Sequence, residues 1–241
     1  MAEPRRFGGL PARGAEGYSG AMWLRCILAA VWLSGAASAA AGDFASLQPA
    51  AQPAGYLARL LINEAPFPGE RGYVSEEDSK ATMLSILWVL HSRIHHVPEG
   101  YSQEEIAAIR TQNIIDVITA KGQCEGFSKG PDGKPATDAR VEARIQNLLR
   151  IANSGGKPGR FASLLLHAQG LASAYLKEDI QGADRYAGLA MVNRIPVTGR
   201  AYSWMTGMDY YHPGGNFVKI PDAQQGVLGG NRFYTLRKEP Q

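Results

Sequence analysis

The segment SEEDSKATMLSILWVLHSRIHH, residues 75–96, constrains the fold of this chain more than any other. Ser75 followed by Glu76, Glu77 and Asp78 is a helix start: a hydroxyl caps free amides, and acids sit at the positive end of the dipole. Beyond it, Met83, Leu84, Leu87, Trp88, Leu90 and Ile94 are spread around nearly the whole helix. Such a helix leaves no broad face for water, so the spacing predicts a central core helix with the rest of the chain wrapped around it.

The neighbouring segments supply the wrapping. In YLARLLINEA, Leu57, Leu60, Leu61 and Glu64 fall at i, i+3, i+4 and i+7, so this helix carries its terminal carboxylate on the apolar face. Pro66 and Pro68 in the APFPG break prevent continuation. SQEEIAAIR opens like a capping box, and NIIDVITAKG reads as a short helix ending at Gly122. CEGFSKGPDGKPATD reads as a loop. DARVEARIQNLLRIAN is amphipathic with Val141, Ile145, Leu148, Leu149 and Ala152 inward, and GRFASLLLHAQGLASAYLKED is a further helix. After Gly182 the pattern becomes short and irregular and rich in aromatics. The fold class expected is therefore mainly α, with an irregular, aromatic-rich C-terminal third.

The first forty residues differ in kind. An apolar run from Cys26 to Leu33 follows Arg5, Arg6, Arg13 and Arg25 and leads to an Ala37-Ser38-Ala39 site. This is the layout of a secretory signal peptide, too short to span a bilayer after cleavage. The expected organisation is a signal peptide over 1–39, a linker over 40–54 and a catalytic domain over 55–238. Export would leave Cys124 as the lone cysteine, without an internal disulfide, and we read it as a small packing residue. With 25 Lys+Arg against 22 Asp+Glu, no concentrated basic face argues for nucleic acid.

Four constellations carry candidate chemistry. Glu64 ends an apolar helix ahead of a Pro/Gly loop. A carboxyl packed against apolar groups disfavours its charged form and can hold a proton for glycosidic cleavage. Pairing of Glu64 with Arg59 or Arg71 is the plainer alternative. His91 and His95 lie one helical turn apart and, with His96, His167 or His212, suggest zinc, although no Glu stands as in H-E-x-x-H. His212, in YYHPGGNF, is a ligand, a cleft residue or an ordinary turn histidine. The late aromatics Tyr202, Trp204, Tyr210, Tyr211, Phe217, Phe233 and Tyr234 stack on sugars or staple an irregular segment. Phosphate-loop, nucleophile-elbow and CxxC patterns are missing from the sequence.

Taken in order, LARLLINEA with Glu64, WVLHSRI, and NIIDVITAKGQCEGFSKG around Asp116, Val117, Ile118, Gly122 and Gln123 resemble the bacterial cell wall hydrolase family that includes the spore-cortex-lytic enzymes. The likeness covers Tyr56 to about Asn153, with Ser92 and Cys124 standing where that family usually has Asn and Phe. The resemblance implies a lysozyme-like, mainly helical fold acting on the glycan of peptidoglycan. It favours Glu64 as the catalytic acid, with Gln123, Ser128, Tyr211 and His212 as substrate-binding residues. Single-carboxylate chemistry favours a lytic transglycosylase over a hydrolase, since hydrolases usually need a second acid, for which Glu70 and Asp78 are the candidates. No metal or cofactor is expected. The expected partner is the peptidoglycan glycan strand, with an envelope protein as a candidate second partner. The chain is expected to be exported and monomeric. Two other readings stand beside this one: a zinc amidase using His91, His95 and His212, and a non-catalytic glycan-binding envelope protein.

Overall fold

The computed structural model describes residues 44–206 and 212–239. The expected signal peptide lies outside them. Within them no helix is long and apolar enough to cross a membrane. Ahead of the first helix, the chain expected as a linker is tied down. Ala45 is buried and exchanges two 2.9 Å hydrogen bonds with the Asn153 amide, and the Gln48 amide donates to Gln169.

Six helices follow the apolar periodicity. α1 (Pro53–Glu64) opens on a proline and stops at Ala65, which turns extended because Pro66 disfavours helical backbone before it. α2 (Glu76–His95) is the central helix. Ser75 caps it by accepting from the Asp78 amide, and Met83, Ile86, Leu87, Val89 and Leu90 are fully buried along it. Each such side chain contributes about 1.5–3 kcal/mol. The capping box of α3 (Gln103–Ala107) is formed by Ser102 and Glu105. α4 (Ile114–Thr119) is capped by Asn113, and α5 (Ala139–Asn153) by Asp138. α6 (Arg160–Tyr175) packs across α1, α5 and α2.

The expectation of a mainly α, lysozyme-like fold does not hold. Among the described residues 40% are helix and 18% strand, a mixed α and β architecture. A hairpin of β1 (Phe127–Lys129) and β2 (Pro135–Thr137) occupies the segment expected as a loop. The C-terminal third, expected to be irregular, is a five-stranded antiparallel sheet. Its strands are β3 (Leu189–Val192), β4 (Ile195–Thr206), β5 (Phe217–Lys219), β6 (Val227–Leu228) and β7 (Asn231–Arg237). The order is β3-β4-β7-β5, with β6 also paired to β7.

Two features hid this sheet. β4 and β7 are covered on both faces: Ala201, Trp204 and Phe233 join the main core, while Tyr202 and Leu236 meet Ile106 of α3 in a second cluster. Alternation between apolar and polar residues is therefore lost, and register shifts around Ala201 break it further. The hairpin between β3 and β4 turns through Asn193 and Arg194, both at positive φ (47° and 66°), where the usual signal is Asn-Gly.

Helices and sheet meet through short backbone contacts. Gly72, in the loop between α1 and α2, has φ of 89° and lies against Gly230 in the turn before β7. A Cβ on Gly72 would stand 2.9 Å from the Gly230 Cα.

Candidate functional site: one carboxylate across a groove

Glu64 is the last residue of α1, and the sheet closes over it. Its Oε2 accepts from the Trp204 indole at 3.1 Å and from the Thr206 hydroxyl at 2.6 Å, both on β4. Its Oε1 accepts from the Asn63 amide at 3.1 Å. The main-chain carbonyl of Glu64, left open at the helix end, accepts from Asn231 Nδ2 on β7 at 2.7 Å. The pairings weighed from sequence are not made: Arg59 binds Glu142 and the Gln48 and Gly55 carbonyls instead.

The hydrogen-bond arithmetic around Thr206 is informative. Its Oγ1 also lies 2.8 Å from Asn231 Oδ1, whose orientation is set by the bond from Nδ2 to the Glu64 carbonyl. A hydroxyl has one proton to give. With Glu64 ionised, either Glu64 or Asn231 goes unserved by Thr206. With a proton on Glu64, the carboxyl donates to Thr206 and Thr206 donates to Asn231, so both oxygens are served. The carboxyl, the hydroxyl and the Asn231 amide thus form one connected network.

Two depressions meet at this carboxyl. One, of about 380 Å³, is walled by Pro66, Arg71, Gly72, Val227, Gly230 and Arg232. The other, of about 840 Å³, is walled by Arg93, Gln123, Cys124, Trp204, His212 and Phe217. Asn63, Glu64, Arg144 and Thr206 line both, so a single groove runs past Glu64 on either side.

The expected site residues divide. Gln123 and His212 line the groove with Glu64. His212 Nδ1 accepts from the Gly214 amide at 2.9 Å, which fixes its ring in a turn. Ser128 lies exposed on β1, lines neither depression, and uses its carbonyl to accept from Tyr56. Tyr211 lies outside the described residues. Of the candidate second acids, Glu70 lines the smaller depression but is held by both arms of Arg144, at 3.1 and 2.6 Å, and by the Phe67 amide at 2.7 Å. Asp78 lines neither.

Cys124 packs against the core, and burial with the Glu64 charge pushes its thiol up to about 12, so it is no nucleophile at neutral pH. His91, His95 and His96 gather at the far end of α2, ring centroids 4.4 and 5.3 Å from His91, and none of them lines the groove that His212 lines. Among the described residues no group of three or more His, Cys, Asp or Glu is arranged to hold a metal ion.

Sequence reasoning named Trp204 only as a stacking aromatic and did not reach Thr206 or Asn231. These residues find Glu64 across 140, 142 and 167 positions, a pairing that no local spacing encodes. Compared with protein-family models, curated proteins and solved structures, the chain matches none.

Proposed function

We propose that this protein is an exported enzyme that cleaves the glycan strands of peptidoglycan, as a lytic transglycosylase with Glu64 as its single general acid and base. The observation that carries the reading is the groove continuing on both sides of one carboxyl. A polymer must be bound on both sides of the bond to be cut, and two depressions adjoining at Glu64 support that reading.

In the first half of the reaction Glu64 gives its proton to the leaving glycosidic oxygen. In the second, the carboxylate takes the proton of the muramic 6-hydroxyl as that oxygen bonds to the anomeric carbon, closing a 1,6-anhydro ring. No water is consumed, and the carboxyl ends protonated as it began. The Trp204 indole and the Thr206 hydroxyl hold Oε2 through both halves. Commitment of Glu70 to Arg144, of Glu105 to the α3 cap and of Glu125 to Arg140 supports a one-acid mechanism over a hydrolase with two.

The test is mass spectrometry of purified peptidoglycan incubated with the protein and with Glu64→Gln. Anhydromuramic ends present with the first and absent with the second are expected. Reducing muramic ends would make the protein a hydrolase. Intact strands in both would leave a glycan-binding protein, and released stem peptides would move the chemistry away from Glu64.

A further inference from the structure

Arg93 is a buried charge in this groove that the mechanism leaves unused. It stands on α2, is only 5% exposed, and lines the larger depression. Its Nε donates to the Tyr202 carbonyl at 2.7 Å and its Nη1 to Gln123 Oε1 at 2.8 Å. The guanidinium carbon lies 5.3 Å from the centre of the Trp204 ring. Among the described residues Nη2 donates to none and no carboxylate pairs with the group.

That arrangement departs from the habit of this protein. Arg59, equally buried at 6%, holds Glu142 at 2.9 Å. Arg144 holds Glu70, and Arg200 holds Asp184 at 2.6 Å. A buried cation is costly unless an anion answers it. For Arg93 the answers are a carbonyl, an amide oxygen and an aromatic face, all neutral. Burial accordingly pushes its guanidinium down to about 10.

We propose that Arg93 is the carboxylate-recognising group of the groove, and that the missing anion arrives with the substrate as the free lactyl carboxylate of a muramic residue. The inference rests on the glycan-strand reading and narrows it. The Nη2 donor is open to a carboxylate, and Gln123, with its oxygen committed to Arg93, has its Nε2 left to donate to the same group. Trp204 joins this position to the acid: one edge of its indole donates to Glu64 while its face lies against Arg93. When the lactyl group is amide-linked to a stem peptide it carries no charge and cannot answer Arg93. The preferred substrate is thus a strand already stripped of its peptides, and the reaction that supplies it is an amide hydrolysis between the lactyl group and the stem.

Calorimetric titration of full-length E64Q, which binds without cutting, tests this. The ligands are a GlcNAc–MurNAc tetrasaccharide with free lactyl carboxylates, the same tetrasaccharide with lactyl carboxamides, and an N-acetylglucosamine tetramer. The free acid is expected to bind at least about tenfold more tightly than the carboxamide, as one charge-assisted hydrogen bond predicts. The ratio should collapse toward one in E64Q with Arg93→Gln. If that double variant fails to fold, the free-acid to carboxamide ratio in E64Q alone decides. Equal binding of acid and carboxamide overturns the carboxylate proposal and leaves the glycan reading standing. Binding of none of the three overturns both.

Discussion

Glu64 and Glu70 stand at the two ends of one short loop and line the same depression, yet their surroundings are opposite. Glu70 faces a guanidinium on two sides and a backbone amide on a third, and Arg144 spends its remaining reach on the Ile62 and Ala65 carbonyls at the end of α1. Glu64 is held by an indole, a hydroxyl and an amide, all neutral. A carboxylate bound on both oxygens by a guanidinium fixes its loop. One held by neutral donors has no counter-charge bound to it. The two acids thus differ in what holds them and not in where they lie along the groove.

Substitution at the two glutamates should break the comparison most sharply. Glu64→Gln is expected to lower release of glycan fragments on the order of a thousandfold while leaving the thermal midpoint nearly unchanged. Glu70→Gln should do the reverse, and comparable losses of activity in both would end the distinction. Next in size, Arg144→Met strips the loop of its ion pair and α1 of its carbonyl partners. It should cost about 2–3 kcal/mol in urea unfolding. Trp204→Phe keeps the ring but removes the donor, and should slow cleavage about tenfold to a hundredfold with unfolding little changed.

The smallest effect lies at the other end of α2. Burial first, and then the charges of His95, His96 and Arg200, lower His91 from 6.5 to about 4. The folded protein therefore keeps His91 neutral where the unfolded chain already takes a proton. Stability from this group is intact above pH 6.5, falls as pH drops from there toward 4, and is flat below. His91→Gln should shallow that acid limb in urea titrations across pH 4–7. An unchanged limb would mean the ring is open to water.

The legible part of this molecule was the part built from local rules. Ser75 and the acids after it, the Ser102–Glu105 box, Pro66 and the leucines of α1 each act within one or two turns, and the helices follow from them. Glu64 was legible for the same reason, as an acid on the wrong face of its helix. The sheet was not, because β4 and β7 are buried on both faces and the β3–β4 turn uses Asn193-Arg194. The mainly α expectation, drawn from the helical periodicities ahead of Gly182, therefore ran over a region that is strand. Trp204, Thr206 and Asn231 went with it, since their link to Glu64 exists only once the strands pair.

That long reach has a consequence for timing. On a ribosome the α1 carboxylate emerges with neither its β4 donors nor the Asn231 that ties down its carbonyl. These arrive 140 to 167 residues later, and contacts so distant in sequence form late. Until β7 has slotted between β4 and β5, the groove has one wall and the acid keeps only its neighbour Asn63. The site is therefore complete only after the last strand has been made and paired.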